Sequence, residues 1–97
     1  MNHHNYYVYI LTNKNKTVLY IGVTNNLSAR LNQHINGIGN IFTSKYKAYF
    51  LIYLEHYDFI DQAIAREKQL KGWDRSKKEE LIKTKNPEWT FLNNDWL

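Results

Sequence analysis

The sequence predicts an α+β domain in which helices pack around a three-stranded antiparallel sheet, in the order β-β-α-β-α-α. Three observations lead to this prediction. Two aromatic runs of strand length are joined by a short turn, and a third apolar run lies between segments with helical apolar spacing. The length of 97 residues accommodates one hydrophobic core. We therefore expect a single domain over residues 1–97, with its core over about 6–84 and an aromatic tail over 85–97.

The N-terminal part of the chain predicts a β-hairpin followed by a helix. Residues 6–11 are aromatic and β-branched, residues 13–16 favour a turn, and residues 18–23 form the second strand candidate. The short connection favours antiparallel pairing. Residues 24–26 then offer polar N-cap side chains for a helix over about 27–36. The expected core stripe of this helix consists of Leu27, Leu31 and Ile35.

The middle of the chain predicts a loop, a buried strand and a second helix. Residues 37–39, Gly-Ile-Gly, end the first helix, and residues 40–45 are expected to form a flexible loop. Residues 49–54 are the most apolar stretch and predict a central strand that is buried on both faces. Asp58 is expected to open a helix that ends at Gly72.

The C-terminal part predicts a third helix and a packed tail. Residues 76–79, Ser-Lys-Lys-Glu, predict a capping box, and the helix should end near Thr84, before Pro87. The tail is expected to pack back on the body through its aromatic and apolar residues. These are Trp89, Phe91, Leu92 and Trp96.

Composition excludes several classes of protein. The chain has no cysteine, hence no disulfide and no thiolate metal site, which suits a reducing cytosol. The longest apolar run covers residues 48–54, far short of the roughly 20 residues that span a bilayer. Residues 1–5 contain no secretory signal pattern. We therefore expect a soluble, cytoplasmic protein with no membrane partner.

The net charge of +4 is unevenly distributed along the chain. Residues 1–54 contain no Asp or Glu, and all nine carboxylates lie between Glu55 and Asp95. This distribution suits a polyanionic partner, and a solvated basic surface explains it equally well. Trp73 lies within the basic stretch 66–78 and is expected to belong to the core. The cations expected to bind nucleic acid are Lys45, Lys47, Arg66, Lys68, Lys71, Arg75, Lys77 and Lys78.

Two helices carry polar residues beside or within their apolar stripes. Arg30 and His34 are four apart, so they are neighbours at the edge of the first stripe, either as an ordinary exposed pair or as part of a site. Glu67 projects near the middle of the stripe expected for the second helix, where an unpartnered carboxylate is costly. It therefore either pairs with a cation or hydrogen-bond donor, or ligates a metal ion such as Mg²⁺. The other residues of that stripe are Ile60, Ala63, Ile64 and Leu70.

A tyrosine triplet lies on each strand of the hairpin. Tyr7 and Tyr9 point to the same face by strand alternation, and Tyr20 shares its strand face with Gly22. A phenol with a reference pKa of about 10 is ionised in only about one molecule in a thousand at pH 7. A nearby guanidinium, a metal ion or a histidine relay would help such a phenol to act as a general base.

Together, these residues resemble the GIY-YIG nucleases. The segment Tyr7-Val8-Tyr9 occupies the position of the first family triplet, and Tyr20-Ile21-Gly22 matches the second. The resemblance continues through Asn26-Leu27, Arg30, His34 and residues 65–71, and it covers about residues 6–84. The chain is most similar to small stand-alone bacterial proteins that consist of little besides the nuclease domain.

The resemblance implies a divalent-metal-dependent endonuclease that hydrolyses DNA phosphodiester bonds with low sequence specificity. Tyr20 would activate or align the attacking water, and Arg30 would stabilise charge on the phosphoryl oxygens. Glu67 would hold one Mg²⁺ or Mn²⁺ ion. Tyr9 would orient the water or hydrogen-bond the phosphate, and His34 would assist proton movement.

The resemblance has further implications and leaves alternatives open. Gly22 would permit close approach of the backbone to the site. Val23 stands where some branches carry a lysine, so Tyr20 would need another activating group. Asn86 is the candidate for an asparagine that contributes late in the domain of some relatives. A protein partner would supply targeting. The alternatives are a nucleic-acid-binding module of the same fold that cuts slowly or not at all, and a protein-interaction domain.

Overall fold

The computed structural model describes residues 5–96, so the expectation about a signal in residues 1–4 lies outside the described residues. The elements in chain order are β1 (Tyr6–Thr12), β2 (Leu19–Thr24), α1 (Leu27–Ile35), α2 (Ile41–Tyr46), β3 (Phe50–Tyr57), α3 (Ile60–Lys71), α4 (Arg75–Lys85) and a 3₁₀ turn (Asn93–Asp95). The α+β class and the predicted order are confirmed, with α2 as an additional short helix between α1 and β3.

The central strand of the sheet is β1, because the strand order is β2-β1-β3. The prediction that the third strand would be central was wrong, since β3 lies at an edge. Its residues Leu51, Ile52 and Tyr53 are nevertheless buried, because their side chains belong to the core on the two faces of the sheet. The C-terminal tail covers the edge itself. The Leu92 N–H donates to the Leu51 carbonyl at 2.8 Å, and Asn93 Oδ1 accepts from the Leu51 N–H at 2.8 Å. The tail thus satisfies backbone groups that an open edge would expose.

Apolar side chains fill both faces of the sheet, because successive residues of a strand point to opposite sides. One cluster lies under α3 and α4 and consists of Val8, Ile10, Ile21, Ile52, Tyr53, Ala63, Leu70 and Ile82. The other lies under α1 and consists of Tyr9, Leu11, Leu27, Leu31, Ala48 and Leu51. The tail contributes to both clusters through Trp89, Leu92 and Trp96.

The segment expected to be a flexible loop forms the helix α2 instead. Asn40 is its N-cap, and the Asn40 side chain accepts a hydrogen bond from the Thr43 N–H at 2.8 Å. Thr43 is buried against α1 and its hydroxyl lies 2.9 Å from His34 Nδ1. The cap and this buried contact stabilise a six-residue helix that the sequence alone does not predict.

Two helix starts also differ from the sequence-based expectation. Asp58 does not open α3, because Phe59 holds the N-cap position, and within residues 5–96 no side chain caps this helix. α4 is capped by Asp74, whose carboxylate accepts from the Lys77 N–H at 3.0 Å. Ser76 therefore lies inside α4 and does not form the expected capping box. Its hydroxyl instead donates to Asp74 at 3.0 Å.

α1 turns a different face to the sheet than expected. Leu27, Leu31 and His34 are buried, and these positions follow the helical spacing i, i+4 and i+7. Ile35 is 39% exposed, so its assignment to the core was wrong. None of the helices within residues 5–96 is long and apolar enough to cross a membrane.

Candidate active site

The pairing of β1 with β2 brings the two tyrosine-bearing strands together. Tyr9 lies opposite Gly22, and Leu11 lies opposite Tyr20, so Tyr9 and Tyr20 are diagonal neighbours on one face of the sheet. Their ring centroids are 6.4 Å apart. A Cβ atom at position 22 would overlap the Tyr9 ring. Gly22 therefore makes room for the side chain of Tyr9.

The Tyr9 hydroxyl lies between two residues of α1. It is 3.0 Å from His34 Nε2, and it accepts a hydrogen bond from Arg30 Nε at 3.4 Å. Tyr9 is only 1% exposed, and burial raises its pKa to about 12 although the Arg30 hydrogen bond opposes the shift. The hydroxyl is therefore protonated at neutral pH and connects the strand to the helix.

His34 is fully buried, although its spacing placed it only at the edge of the apolar stripe. Burial lowers its pKa to about 4, and the charge of Arg30 adds to the shift, so the ring is neutral at pH 7. Its Nδ1 lies 2.9 Å from Thr43 Oγ1, and the Thr43 hydroxyl lies 3.1 Å from Asn40 Oδ1. These contacts are all satisfied when the Thr43 hydroxyl donates to the Asn40 amide oxygen and accepts from His34 Nδ1–H. His34 Nε2 is then the acceptor of the Tyr9 hydroxyl proton.

We expect acid to destabilise the fold through His34. The unfolded ring titrates near pH 6.5 and the folded ring near pH 4, so between these values the unfolded state binds more protons. The free energy of unfolding should therefore fall as the pH falls through this window, with a slope approaching about 1.4 kcal/mol per pH unit. Urea denaturation across the window should show a shallower pH dependence for His34→Gln than for the wild type. Equal slopes in the two proteins would contradict the expectation.

Asn40, which the sequence did not single out, holds the hydroxyl of Tyr20. Its Nδ2 donates to the Tyr20 oxygen at 2.6 Å. The half-buried Tyr20 ring lies beside His34 and Phe42, with centroid distances of 5.5 and 5.9 Å. An asparagine before a helix is a recognisable N-cap signal, yet only the tertiary fold brings this one to Tyr20.

Asn86, the asparagine considered from the resemblance, lies elsewhere. It is buried after α4, and its Nδ2 donates to the carbonyls of Ile52 and Thr90 at 2.8 and 2.9 Å. Its Oδ1 accepts from the Thr90 N–H at 3.0 Å. Asn86 therefore anchors the start of the tail to β3.

Arg30 is held by three hydrogen bonds and borders an open groove. Besides its bond to Tyr9, Nη1 donates to Gln33 Oε1 at 2.8 Å and Nη2 donates to the Gly39 carbonyl at 3.2 Å. The groove has a volume of about 400 Å³ and is also lined by the C-terminal end of β2 and the first turns of α3. The guanidinium is thus fixed in place at the margin of a cleft.

Glu67 lies on a stripe of α3 that faces grooves instead of the core. Ile60, Ile64, Glu67 and Lys71 follow one another at helical spacing along this stripe. Ile60 and Ile64 are 52% and 37% exposed, so their assignment to the core was wrong. The buried residues of α3 are Ala63 and Leu70.

Glu67 is therefore placed between two grooves along the outer edge of β2. Arg30 and the start of the stripe line the first groove, and Tyr20 and Lys71 line the second, of about 250 Å³. The Glu67 side chain is 15% exposed and pairs with Lys71 Nζ at 2.9 Å. Burial is the main cause of the raised pKa of Tyr9, and the charge of Glu67 adds to it.

Two of the cations considered for nucleic-acid binding are engaged in the fold. Arg66 makes two hydrogen bonds to the Glu55 carboxylate, at 2.9 and 3.0 Å, and its guanidinium lies 5.3 Å from the Trp73 ring. Trp73 itself is partly buried and packs against the core. Arg75 donates to two backbone carbonyls of the β1–β2 turn, at 2.7 and 3.1 Å. These contacts hold α3 and α4 to the sheet.

The other cations are distributed over the surface. Lys71 and Lys78 line the groove beside Tyr20, together with the exposed ring of Phe42. The remaining cations are exposed and consist of Lys45, Lys47, Lys68 and Lys77. The groove beside Tyr20 thus combines positive charge with an aromatic surface.

The carboxylates around the site are few. Over residues 5–96, no group of three or more His, Cys, Asp or Glu residues is arranged to hold a metal ion. Glu67 therefore offers a single carboxylate, which fits an ion such as Mg²⁺ that keeps several waters and shares the phosphates of a substrate.

The β1–β2 hairpin carries Tyr9 and Tyr20 on one face, α1 carries Arg30 beside them, and α3 carries Glu67. This combination is typical of a GIY-YIG catalytic domain. The family model of the GIY-YIG catalytic domain matches residues 5–80 of this chain. The chain therefore belongs to the GIY-YIG nuclease family, as its triplets indicated.

The relatives of this chain carry the family designation UPF0213. The chain is 41% identical over 83 residues to a UPF0213 protein of Syntrophus aciditrophicus, which covers 84% of this chain and 93% of that relative. It is 39% identical over 80 residues to UPF0213 protein CPE1444 of Clostridium perfringens, covering 82% and 85% of the two chains. It is similar in structure to UPF0213 protein BH0048 of Bacillus halodurans, solved by NMR in solution. The TM-score is 0.58 at 28% identity, with 94% of this chain and 93% of that chain covered.

Proposed function

We propose that this chain is a divalent-metal-dependent endonuclease that hydrolyses DNA phosphodiester bonds with low sequence specificity. The observation that carries the proposal is the convergence at the outer edge of β2. There Arg30 from α1 lines one groove, Tyr20 from β2 lines another, and Glu67 lies on α3 between Ile64 of the first groove and Lys71 of the second. Membership of a nuclease family supports the class of reaction. We assign this function to one nuclease domain over residues 1–97.

Arg30 binds the phosphodiester that is to be cut. A guanidinium offers planar, charged N–H donors that match phosphoryl oxygens, and its charge offsets the negative charge that develops during attack. The contacts with Tyr9, Gln33 and the Gly39 carbonyl hold Arg30 before substrate arrives. Such preorganisation means that little rearrangement is needed in the transition state.

Tyr20 aligns the attacking water and, as a phenolate, takes its proton. The Asn40 donor at 2.6 Å holds the Tyr20 oxygen in place. Tyr9 and His34 are buried, so we assign them to holding Arg30 and Tyr20 in place. Gly22 belongs to this arrangement because it leaves room for Tyr9.

Glu67 is the residue that would hold one Mg²⁺ or Mn²⁺ ion. Such an ion, when bound, would polarise the phosphate and stabilise the leaving oxygen. Lys71 Nζ lies 2.9 Å from the Glu67 carboxylate and neutralises its charge. A metal ion that shared this carboxylate would leave the Lys71 ammonium able to bind a neighbouring phosphate.

The DNA backbone follows the two grooves. Lys71 and Lys78 contact phosphates beside Tyr20, and the exposed lysines on α2, α3 and α4 extend this basic surface. Arg66 and Arg75 support this surface by fixing α3 and α4 to the sheet, because they bind Glu55 and backbone carbonyls. Low sequence specificity suits a cytoplasmic enzyme whose targeting comes from a protein partner.

Substitution of Tyr20 by phenylalanine tests the proposal directly. Tyr20→Phe keeps the ring and removes the hydroxyl, so kcat should fall by roughly a hundredfold or more, the range of general acid–base contributions. Cleavage of plasmid, single-stranded and branched DNA would be measured with Mg²⁺ and with chelator. Tyr49→Phe, outside the two grooves of the site, is the matched control and should cleave normally.

Each alternative function has its own outcome in this assay. DNA binding without cleavage by the wild type on every substrate would identify a binding module of the same fold. Absence of both binding and cleavage would identify a protein-interaction domain.

A further inference from the structure

We infer that Asn40 is a positioning residue for Tyr20, and that it ends a hydrogen-bond relay that runs from Arg30 through α2 to the Tyr20 oxygen. The inference rests on the proposed function because it concerns the same site. It adds to that function a residue from a segment where the sequence predicts only a loop.

Asn40 performs two tasks that require both atoms of its amide. Oδ1 caps α2, since it accepts from the Thr43 N–H at 2.8 Å and from the Thr43 hydroxyl at 3.1 Å. Nδ2 donates to the Tyr20 oxygen at 2.6 Å. Aspartate would cap equally well but has no N–H to donate. The side chain of Asn40 therefore does more than start a helix.

A single direction of donation satisfies every bond in the relay. Arg30 has donors only, so the Tyr9 oxygen accepts from it, and in this direction the Tyr9 hydroxyl donates its proton to His34 Nε2. His34 Nδ1–H then donates to Thr43, and the Thr43 hydroxyl donates to Asn40 Oδ1. The relay therefore consists of Arg30, Tyr9, His34, Thr43, Asn40 and Tyr20.

The last hydrogen bond of the relay, from Asn40 to Tyr20, determines the position of the Tyr20 hydroxyl oxygen. Because the Tyr20 oxygen accepts from Asn40, the reacting oxygen is held in one position. Glycine at position 39 lets α2 approach α1, since a Cβ there would overlap the His34 ring. This close packing places Asn40 over Tyr20.

The decisive variant is Asn40→Asp, which keeps the cap and removes the donor. We expect kcat for DNA cleavage to fall about 10- to 100-fold, the range for a lost hydrogen bond to a charged group, while KM changes little. Asn26→Asp is the matched control, because Asn26 caps α1 through its Oδ1 at 3.1 Å and the substitution introduces the same charge. It should leave kcat unchanged. In a Tyr20→Phe background, Asn40→Asp should cause no further loss.

A second measurement does not depend on cleavage. In protein labelled with ¹³C at the tyrosine Cζ atom, the Tyr20 signal is assigned with Tyr20→Phe and should shift in Asn40→Asp but not in Asn26→Asp. An unshifted signal, an unchanged kcat, or an equal loss of kcat in the Tyr20→Phe background would overturn the inference. If the wild type does not cleave DNA, the proposed function fails, and the NMR shift still decides whether Asn40 positions Tyr20.

Discussion

Glu67→Gln should abolish Mg²⁺-dependent cleavage of DNA, with a loss of at least about a thousandfold in kcat. Glutamine has nearly the same shape but carries no charge, so it is a poor ligand for a hard cation. The fold should tolerate the change. The Lys71 that loses its partner is half exposed to solvent, where an ion pair contributes little to stability. Single-turnover cleavage and binding of the same DNA would be measured side by side.

Glu80→Gln is the control for the loss of one negative charge. Glu80 is an exposed residue of α4 whose nearest cation is 4.0 Å away. The Glu80→Gln variant should cleave at the wild-type rate. The wild type in excess chelator should cleave as slowly as Glu67→Gln. Cleavage by Glu67→Gln within tenfold of the wild type, or full activity of the wild type in chelator, would exclude Glu67 as the metal-binding residue.

Arg30→Lys should reduce kcat/KM by roughly a hundredfold, the size of effect seen when one preorganised donor is lost. The substitution keeps the positive charge, but an ammonium cannot reproduce the planar fork that binds Tyr9, Gln33 and the Gly39 carbonyl together. Arg30→Ala, which also removes the charge, should be impaired further. Cleavage rates would be compared with thermal unfolding of each variant.

Gln33→Ala separates the position of the guanidinium from its charge. It removes only the partner of Arg30 Nη1, which lies on the exposed side of α1, so the loss should stay well below that of Arg30→Lys. If the activity losses follow the order of the melting temperatures instead of the contacts of Arg30, then Arg30 has a purely structural role.

Local patterns were sufficient for the hairpin and for most of the helices. Aromatic and β-branched runs and turn residues identified β1 and β2, and helical spacing identified α1 and α3. The same patterns predicted β3 as a strand but placed it wrongly at the centre of the sheet, because an apolar run indicates burial without indicating what covers the strand. Here core clusters cover both faces of an edge strand, and the tail residues Leu92 and Asn93 bond to its outer edge.

The details of the site were less predictable than its members. The spacing of Arg30 and His34 correctly made them neighbours, but the rotation of α1 buried His34 and exposed Ile35. Similarly, the periodicity of α3 placed Glu67 among apolar residues, although two of these line grooves and not the core. Periodicity gives the spacing of side chains along a face, while the packing of the whole helix decides which way that face points.

The sequence by itself determined the α+β fold, the nuclease family and the residue types that phosphodiester chemistry needs, because these depend on local spacing and on a motif. Only the tertiary structure decided that Arg30 and Tyr20 each line a groove beside β2, and that Glu67 lies on α3 between Ile64, which lines the first groove, and Lys71, which lines the second. It also decided that Asn40 holds Tyr20. These facts depend on contacts between residues up to tens of positions apart, and such contacts are set by strand order and helix rotation, which local patterns do not encode.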